Sequence, residues 1–220
     1  INSDKFSKDK IYWNKLFEDL PTPAKLPSDL PESDSDLSCV GERQLFSISK
    51  LKVKQINEFC KTNNISTFNF LMAIYSIYIS KITHLNDFSI GTPILNRTCF
   101  NQKNTTGMFI NVAPFRITID DTICFADFLK QITENSMALL RHQKYPYKLM
   151  LEELRKQDSS IPSLYDIVIS YQLTKANKGT DYTYTTRWAF NQTSADSLTI
   201  QFFDLDEDGI LNVAYDYKKL

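Results

Sequence analysis

The longest apolar-rich run in the chain, residues 68–82 (FNFLMAIYSIYISKI), sets the first limit on what it can fold into. Asn69, Ser76, Ser80 and Lys81 interrupt the run, which leaves it too short and too polar to cross a bilayer, where about 20 predominantly apolar residues are needed. It reads as a helix over 67–83 that is apolar almost all round, and such a helix must be buried inside a soluble core.

The flanking sequence alternates between helical and strand-like patterns. Residues 7–20 (SKDKIYWNKLFEDL) carry apolar positions at helical spacing, and Pro21 ends the pattern. Residues 21–38 (PTPAKLPSDLPESDSDLS) hold four of the eight prolines and read as an extended, exposed surface linker. RQLFSI at 43–48 is a strand, and Ser49 offers an oxygen to cap a helix over 50–62 that stops at Asn63 and Asn64. FSIGTPIL at 88–95 is a strand whose Gly91 and Pro93 suggest a bulge or a sheet edge. A polar loop at 96–106 leads into a further strand, GMFINVAPFRITI. Phe125, Phe128, Leu129 and Ile132 then give the stripe of an amphipathic helix running to 141. After a short helix at 147–156, YDIVISYQ, TTRWAF, SLTIQFF and ILNVAYDY read as four strands, the last two joined around Asp208 and Gly209. Leu198, Ile200 and Phe202 alternate with polar residues on one of them, and Leu211, Val213, Tyr215 and Tyr217 on the next, so this hairpin has one face to cover. The class is α/β in one unit.

Charge and cysteine usage remove several functions. With 25 basic and 26 acidic residues scattered along 220, the chain has no electrostatic footprint for nucleic acid or an anionic membrane. Its start, INSDKFSKDK, has no charged-then-apolar leader. Cys39, Cys60, Cys99 and Cys124 are irregularly spaced without a CxxC pair, which points to reduced thiols, a cytoplasmic setting and no metal. The four Asn-x-Ser/Thr sequons, at Asn64, Asn96, Asn104 and Asn191, read as chance. DLDEDG at 204–209 imitates a calcium loop, but Tyr215 stands where a bidentate Glu is needed. No GxGxxG, GxxxxGK[ST] or GxSxG occurs, and His84 and His142 are far apart and lack a nearby nucleophile.

The segment GMFINVAPFR at 107–116 raises a question. Met108, Phe109, Ile110 and Val112 make it look buried, yet Asn111 sits among them, and a buried amide without partners costs about 1–3 kcal/mol. Two readings are open: Asn111 satisfies neighbouring strands, with Gly107 admitting a close backbone approach, or its amide faces a ligand.

Several segments, in order, resemble the condensation domains of nonribosomal peptide synthetases. They are YWNKLFEDLP with KLPSDLP, STFNFLMAIYSIYISKITHLNDFSIGTPILNR, GMFINVAPFR, HQKYPYKLM and SLYDIVISYQ. GMFINVAPFR is similar to a core motif G-x-F-V-N-T-x-x-x-R, with Gly107, Phe109, Asn111 and Arg116 on its positions. HQKYPYKLM is similar to H-Q-D-Y-P-F-E through His142, Gln143, Tyr145 and Pro146, but Lys144, Tyr147 and Lys148 depart from it. RKQDSSIPSL blurs a third motif and keeps Asp158, Ser160, Pro162 and Leu164. The hallmark H-H-x-x-x-D-G is absent.

This resemblance implies a chloramphenicol acetyltransferase-like two-layer sandwich, of which the chain is the C-terminal lobe: a mixed sheet with helices packed on it. Residues 1–38 are then a helix and Pro-rich surface linker from the preceding lobe. It implies amide-bond formation between groups held as thioesters on carrier proteins, in a cytosolic synthetase. No catalytic residue and no cofactor would belong to this fragment, and the 4'-phosphopantetheine arms would come from carriers. The implied partners are the N-terminal lobe, upstream and downstream peptidyl carrier domains, and an adenylation domain. Substrate-tunnel candidates are Gly107, Phe109, Asn111, Arg97, His142 and Gln172. Without its first lobe the fragment is expected to be inactive, and residues 173–197, the segment able to latch across lobes, to be poorly ordered or swapped. A docking-only lobe and a coenzyme A acyltransferase remain alternatives; an epimerization domain is disfavoured because its strand resembles G-W-F-T.

Overall fold

Residues 3–27, 39–173, 189–204 and 209–219 are described by a computed structural model of the chain. Its strands are β1 (Gly41–Ile48), β2 (Asp87–Ile94), β3 (Asn111–Thr118), β4 (Ile167–Leu173), β5 (Leu198–Asp204) and β6 (Leu211–Lys218), and they join in one sheet of order β1-β6-β5-β4-β2-β3. β4 runs parallel to both β2 and β5, whereas the β1-β6, β5-β6 and β2-β3 pairs are antiparallel. The helices are α1 (Asp4–Leu16), α2 (Lys50–Thr62), α3 (Thr67–Thr83), α4 (Phe100–Lys103), α5 (Phe125–Arg141) and α6 (Tyr147–Arg155). This is the expected α/β architecture of a mixed sheet with helices packed on it.

Strand alternation decides where the core sits. Phe88, Ile90, Ala113, Phe115, Ile117, Ile167, Ile169, Ile200, Phe202, Leu211 and Val213 share one face and join Leu71, Met72, Ile79, Phe128, Leu129 and Ile132 of α3 and α5 in the main apolar cluster. The opposite face also buries Val168, Phe203 and Ala214, with Asp216 beside them. There Arg43 forks onto Asp216 through Nε and Nη2 at 2.5 and 2.7 Å, and Gln201 donates to the same carboxylate. The polar face of the C-terminal hairpin is therefore covered as well as its apolar one.

α2, α3 and α5 occupy the predicted spans, but the ends elsewhere differ. α1 begins at Asp4 because the Ser3 hydroxyl accepts from the Phe6 amide. It stops at Leu16, before Pro21, where the Arg116 guanidinium takes the free Leu16 carbonyl at 2.5 Å while forking onto Asp87. Ser49 precedes α2 without making a capping bond through its hydroxyl. In the linker Ala24 is fully buried and Leu26 packs on the core, so this stretch is tied down rather than exposed; residues 28–38 lie outside the described residues. The expected strand TTRWAF and the expected latch over 173–197 fall largely outside them too, and Ala189 and Phe190 are not in a strand.

β2 is neither bulged nor an edge. Its register with β3 is unbroken from Asp87↔Thr118 to Ile94↔Asn111, although it contains Pro93 and faces Pro114. The pairs Pro93↔Val112 and Gly91↔Pro114 lie two residues apart, so they belong to the same class of antiparallel pair. A proline has no N–H to give a ladder, and the unbroken register carries both without a bulge. Gly91 is needed for space: a Cβ there would lie 2.7 Å from the Tyr165 ring and 3.0 Å from Val168. Replacing Gly91 with Ala is expected to cost about 1–3 kcal/mol through overpacking, read from the denaturant midpoint, and an unchanged midpoint would contradict the contact.

A second prediction concerns pH. Burial, and next the nearby Asp166 carboxylate, hold the Asp196 carboxyl above its ordinary range. The folded state therefore binds this proton more tightly than the unfolded state, and the contribution is full below about pH 4 and lost as pH rises through the raised value. Asp196→Asn should be more stable than the parent in urea titrations at neutral pH, with the difference closing below about pH 4.

Candidate functional site

The ends of β2 and β4 and the α5 terminus enclose a cavity of about 360 Å³. Residues 92–97 form one wall, Ser136, Leu139, Leu140 and Gln143 a second, and Phe68 at the start of α3 and Tyr171 on β4 close it. The lining is mainly apolar with a few polar groups, the usual make-up of a small-ligand site. The Tyr171 hydroxyl donates to Asp204 at 2.8 Å, and burial, followed by that bond, raises its pKa well above the ordinary phenol range, which keeps it a donor. Asn96 stands at φ +54, and its Oδ1 is buried with no hydrogen-bond partner among the described residues.

A rim rises beside the cavity, organised by two cations. The Arg97 guanidinium donates to the carbonyls of Gln102, Thr105 and Gly107, the last two at 2.7 Å, and lies 4.2 Å from the centre of the Phe109 ring. Lys144 donates to the Asn96 carbonyl at 2.6 Å and to Gln102 Oε1 at 3.1 Å. The departure of Lys144 from the family motif thus has a use here: a carboxylate could donate to neither oxygen. Gly107 at φ +142 supports the turn by its conformation, since a Cβ there would meet only the Phe109 ring edge at 3.8 Å. No close backbone approach accounts for it.

Arg97, Gly107 and Phe109 are therefore brought together. β3 starts only at Asn111, because residues 107–110 belong to the rim. Met108 is 90% exposed and Ile110 58%, contrary to the buried strand read from their apolarity. Asn111 is half-buried and pairs with Ile94, a cavity residue, on the core face of the sheet. Gln172 stands apart: alternation puts its side chain on the face opposite Tyr171, 3.5 Å from Gln201. The ring of His142 points to α1, where Nδ1–H donates to Asp9 at 2.7 Å and Tyr12 stacks on it at 4.0 Å. The third motif builds a turn, with Asp158 accepting from the Ser160 amide and hydroxyl and Arg155 donating to the Ile161 and Pro162 carbonyls. Tyr171, Asn96 and Lys144 were missed as site residues. The alternation in VISYQ could have flagged Tyr171, as the neighbour of Gln172 on the core face.

The condensation-domain model of known families matches residues 1–219. The chain belongs to the condensation-domain family. It is similar to surfactin synthase subunit 1 of Bacillus subtilis, 31% identical over 98% of this chain and 6% of that protein. It is similar also to tyrocidine synthase 3 of Brevibacillus parabrevis, 28% identical over 78% of this chain and 3% of that protein. The chain thus spans a small fraction of these relatives. Among solved structures, the condensation domain of the monacolin K polyketide synthase MokA superposes with a TM-score of 0.81 at 19% identity, covering 98% of this chain and 52% of that one. The four-domain nonribosomal peptide synthetase AB3403 gives 0.82 at 20% identity, covering 99% and 18%.

The condensation-domain rim makes a testable claim. Arg97→Lys keeps the charge but loses the planar fork that gathers three carbonyls. Limited proteolysis within 98–106 is expected to become roughly tenfold faster, with little change in the global unfolding midpoint. Unchanged cleavage would show that the rim holds without the guanidinium.

Proposed function

We propose that this chain is the C-terminal lobe of a peptide-bond-forming condensation domain in a nonribosomal peptide synthetase. The observation that supports this most is a coverage asymmetry: nearly all of the chain aligns with about half of a solved condensation domain, 98% against 52% for MokA and 98% against 46% for the first condensation domain of the calcium-dependent antibiotic synthetase. A partner lobe would supply the remaining half and, with it, the missing H-H-x-x-x-D-G histidines.

In this reading the amine of a carrier-bound acceptor attacks the carbonyl of a carrier-bound donor thioester. A C–N bond forms, the C–S bond breaks, the amine gives up a proton and the donor carrier keeps its thiol. Holding both reactants in place supplies much of the rate, because proximity turns an encounter between two tethered groups into a local step. The 4'-phosphopantetheine arms come from upstream and downstream peptidyl carrier domains, and an adenylation domain in the same cytoplasmic protein loads them. The contribution of this lobe is to orient: Asn111 at the head of β3 and the buried Asn96 Oδ1 offer amide groups to a passing arm or substrate, Arg97, Gly107 and Phe109 shape the rim, and Gln172 serves the other face of the sheet. His142 contributes through position, with its ring held on Asp9.

The experiment is single-turnover transfer between loaded carriers in the full-length synthetase. Asn111→Ala should slow transfer by roughly a hundredfold, the scale of a misplaced reactant, while the unfolding midpoint stays near that of the parent. Equal rates would return Asn111 to a purely structural place in the strand. A parent protein that forms no amide bond, or that accepts free coenzyme A thioesters instead, would replace this reading with one of the alternatives.

A further inference from the structure

We propose that Asp9 is a positioning residue that sets the cavity rim from α1, acting through His142. Asp9 lies on α1, and its side chain is 1% exposed. A carboxylate can only accept, so its two partners are donors: Lys5 Nζ at 2.6 Å and His142 Nδ1–H at 2.7 Å. Lys5 also donates to the Arg141 carbonyl at 2.6 Å, and the indole of Trp13 to the His142 carbonyl at 2.9 Å. Tyr12 covers the imidazole at 4.0 Å with the rings 11° from parallel. Four residues of α1 therefore grip Arg141 and His142, where α5 runs out and its free carbonyls need donors.

The next residues leave in the other direction. Gln143 lines the cavity, and Lys144 reaches the Asn96 carbonyl and Gln102 in the rim. Between the buried carboxylate and the rim there is thus a short covalent stretch, 142–144, held at both ends. Such a stretch transmits a displacement because its two ends share a backbone: releasing the His142 ring removes the side-chain tie on the backbone that places Lys144, leaving Trp13 on the His142 carbonyl, and the hold of Lys144 on the rim loosens. The sequence separation of 133 residues between Asp9 and His142 hides this link from any local reading. Its consequence for catalysis rests on the function proposed above; the mechanical link does not.

Hydrogen exchange on the full-length protein tests the link without reference to activity. The reporters are the amides of Lys103 and Asn104, bonded to the Cys99 and Phe100 carbonyls inside the rim. Asp9→Ala is expected to speed their exchange about tenfold, as does Lys144→Met, and the double variant should go no further than Lys144→Met alone. Asp9→Asn keeps an acceptor for His142 and should restore most of the protection. Exchange at Lys103 and Asn104 that stays at the parent rate while α1 opens would overturn the proposal and leave Asp9 as an anchor for α1 only. Equal opening in Asp9→Asn and Asp9→Ala would overturn it too, because the charge that holds Lys5 rather than the bond to His142 would then be the cause. If Asp9→Ala unfolds the whole chain, His142→Phe, which keeps the stack on Tyr12 and removes the Nδ1 donor, decides between the same two outcomes. In transfer assays the same variants should raise KM for the loaded acceptor carrier several-fold with a smaller change in kcat, the mark of a lost binding surface. A parent without transfer activity would void that last measurement and leave the exchange result standing.

Discussion

Between Gly91 and Val168 the six-stranded sheet is joined by a single parallel pair. Two antiparallel units meet there, β2 with β3 on one side and β5, β6 and β1 on the other, and β4 is the strand that unites them. So short a ladder supplies little backbone bonding, and side-chain burial must hold the seam. Ile90, Ile167 and Ile169 close it on the core face, and the Tyr165 ring lies against Gly91 on the other, where no larger residue fits. The helices α3 and α5 then seal the core face across the same line. The cavity lies where this seam runs out, between residues 92–97 and Tyr171, which explains why the sheet can open there without losing its register elsewhere.

Much of this arrangement was legible in the sequence. α3 could be placed to the residue because an almost wholly apolar run has one stable setting, and α5 because its stripe repeats at the helical period. Local signals failed where a distant partner decides the outcome. Nothing near Leu16 announces that Arg116 will take its carbonyl, and nothing near Ala24 that the core has room for it. Gly91 and Pro93 read as edge residues because both usually weaken a strand, yet one makes way for a ring and the other sits in a register with β3 that runs past it unbroken.

The candidate site divides in the same way. Motif resemblance pointed to Arg97, Gly107, Phe109 and Asn111, and the first three do converge. It could not say that Arg97 would spend its donors on carbonyls of its own loop, since a carbonyl carries no sequence signature. Nor could it separate Gln172 from Tyr171, adjacent residues that a strand sends to opposite faces. The fold tolerates this freedom: at 19% identity to MokA the backbone still superposes with a TM-score of 0.81.

Among the described residues the two outermost strands of the sheet are unlike. β3 carries Pro114, and a proline, with no N–H to give, blunts an edge strand as a template for another chain. β1 has no proline, and it exposes Leu45 and Phe46 on its two faces. The polarity of the sheet as a template is therefore one-sided. Among the described residues the Gly41 amide at the head of β1 already donates to the Gln192 carbonyl, so an extended segment seeking to lengthen the sheet on that side has the strand beyond Gly41 to pair with.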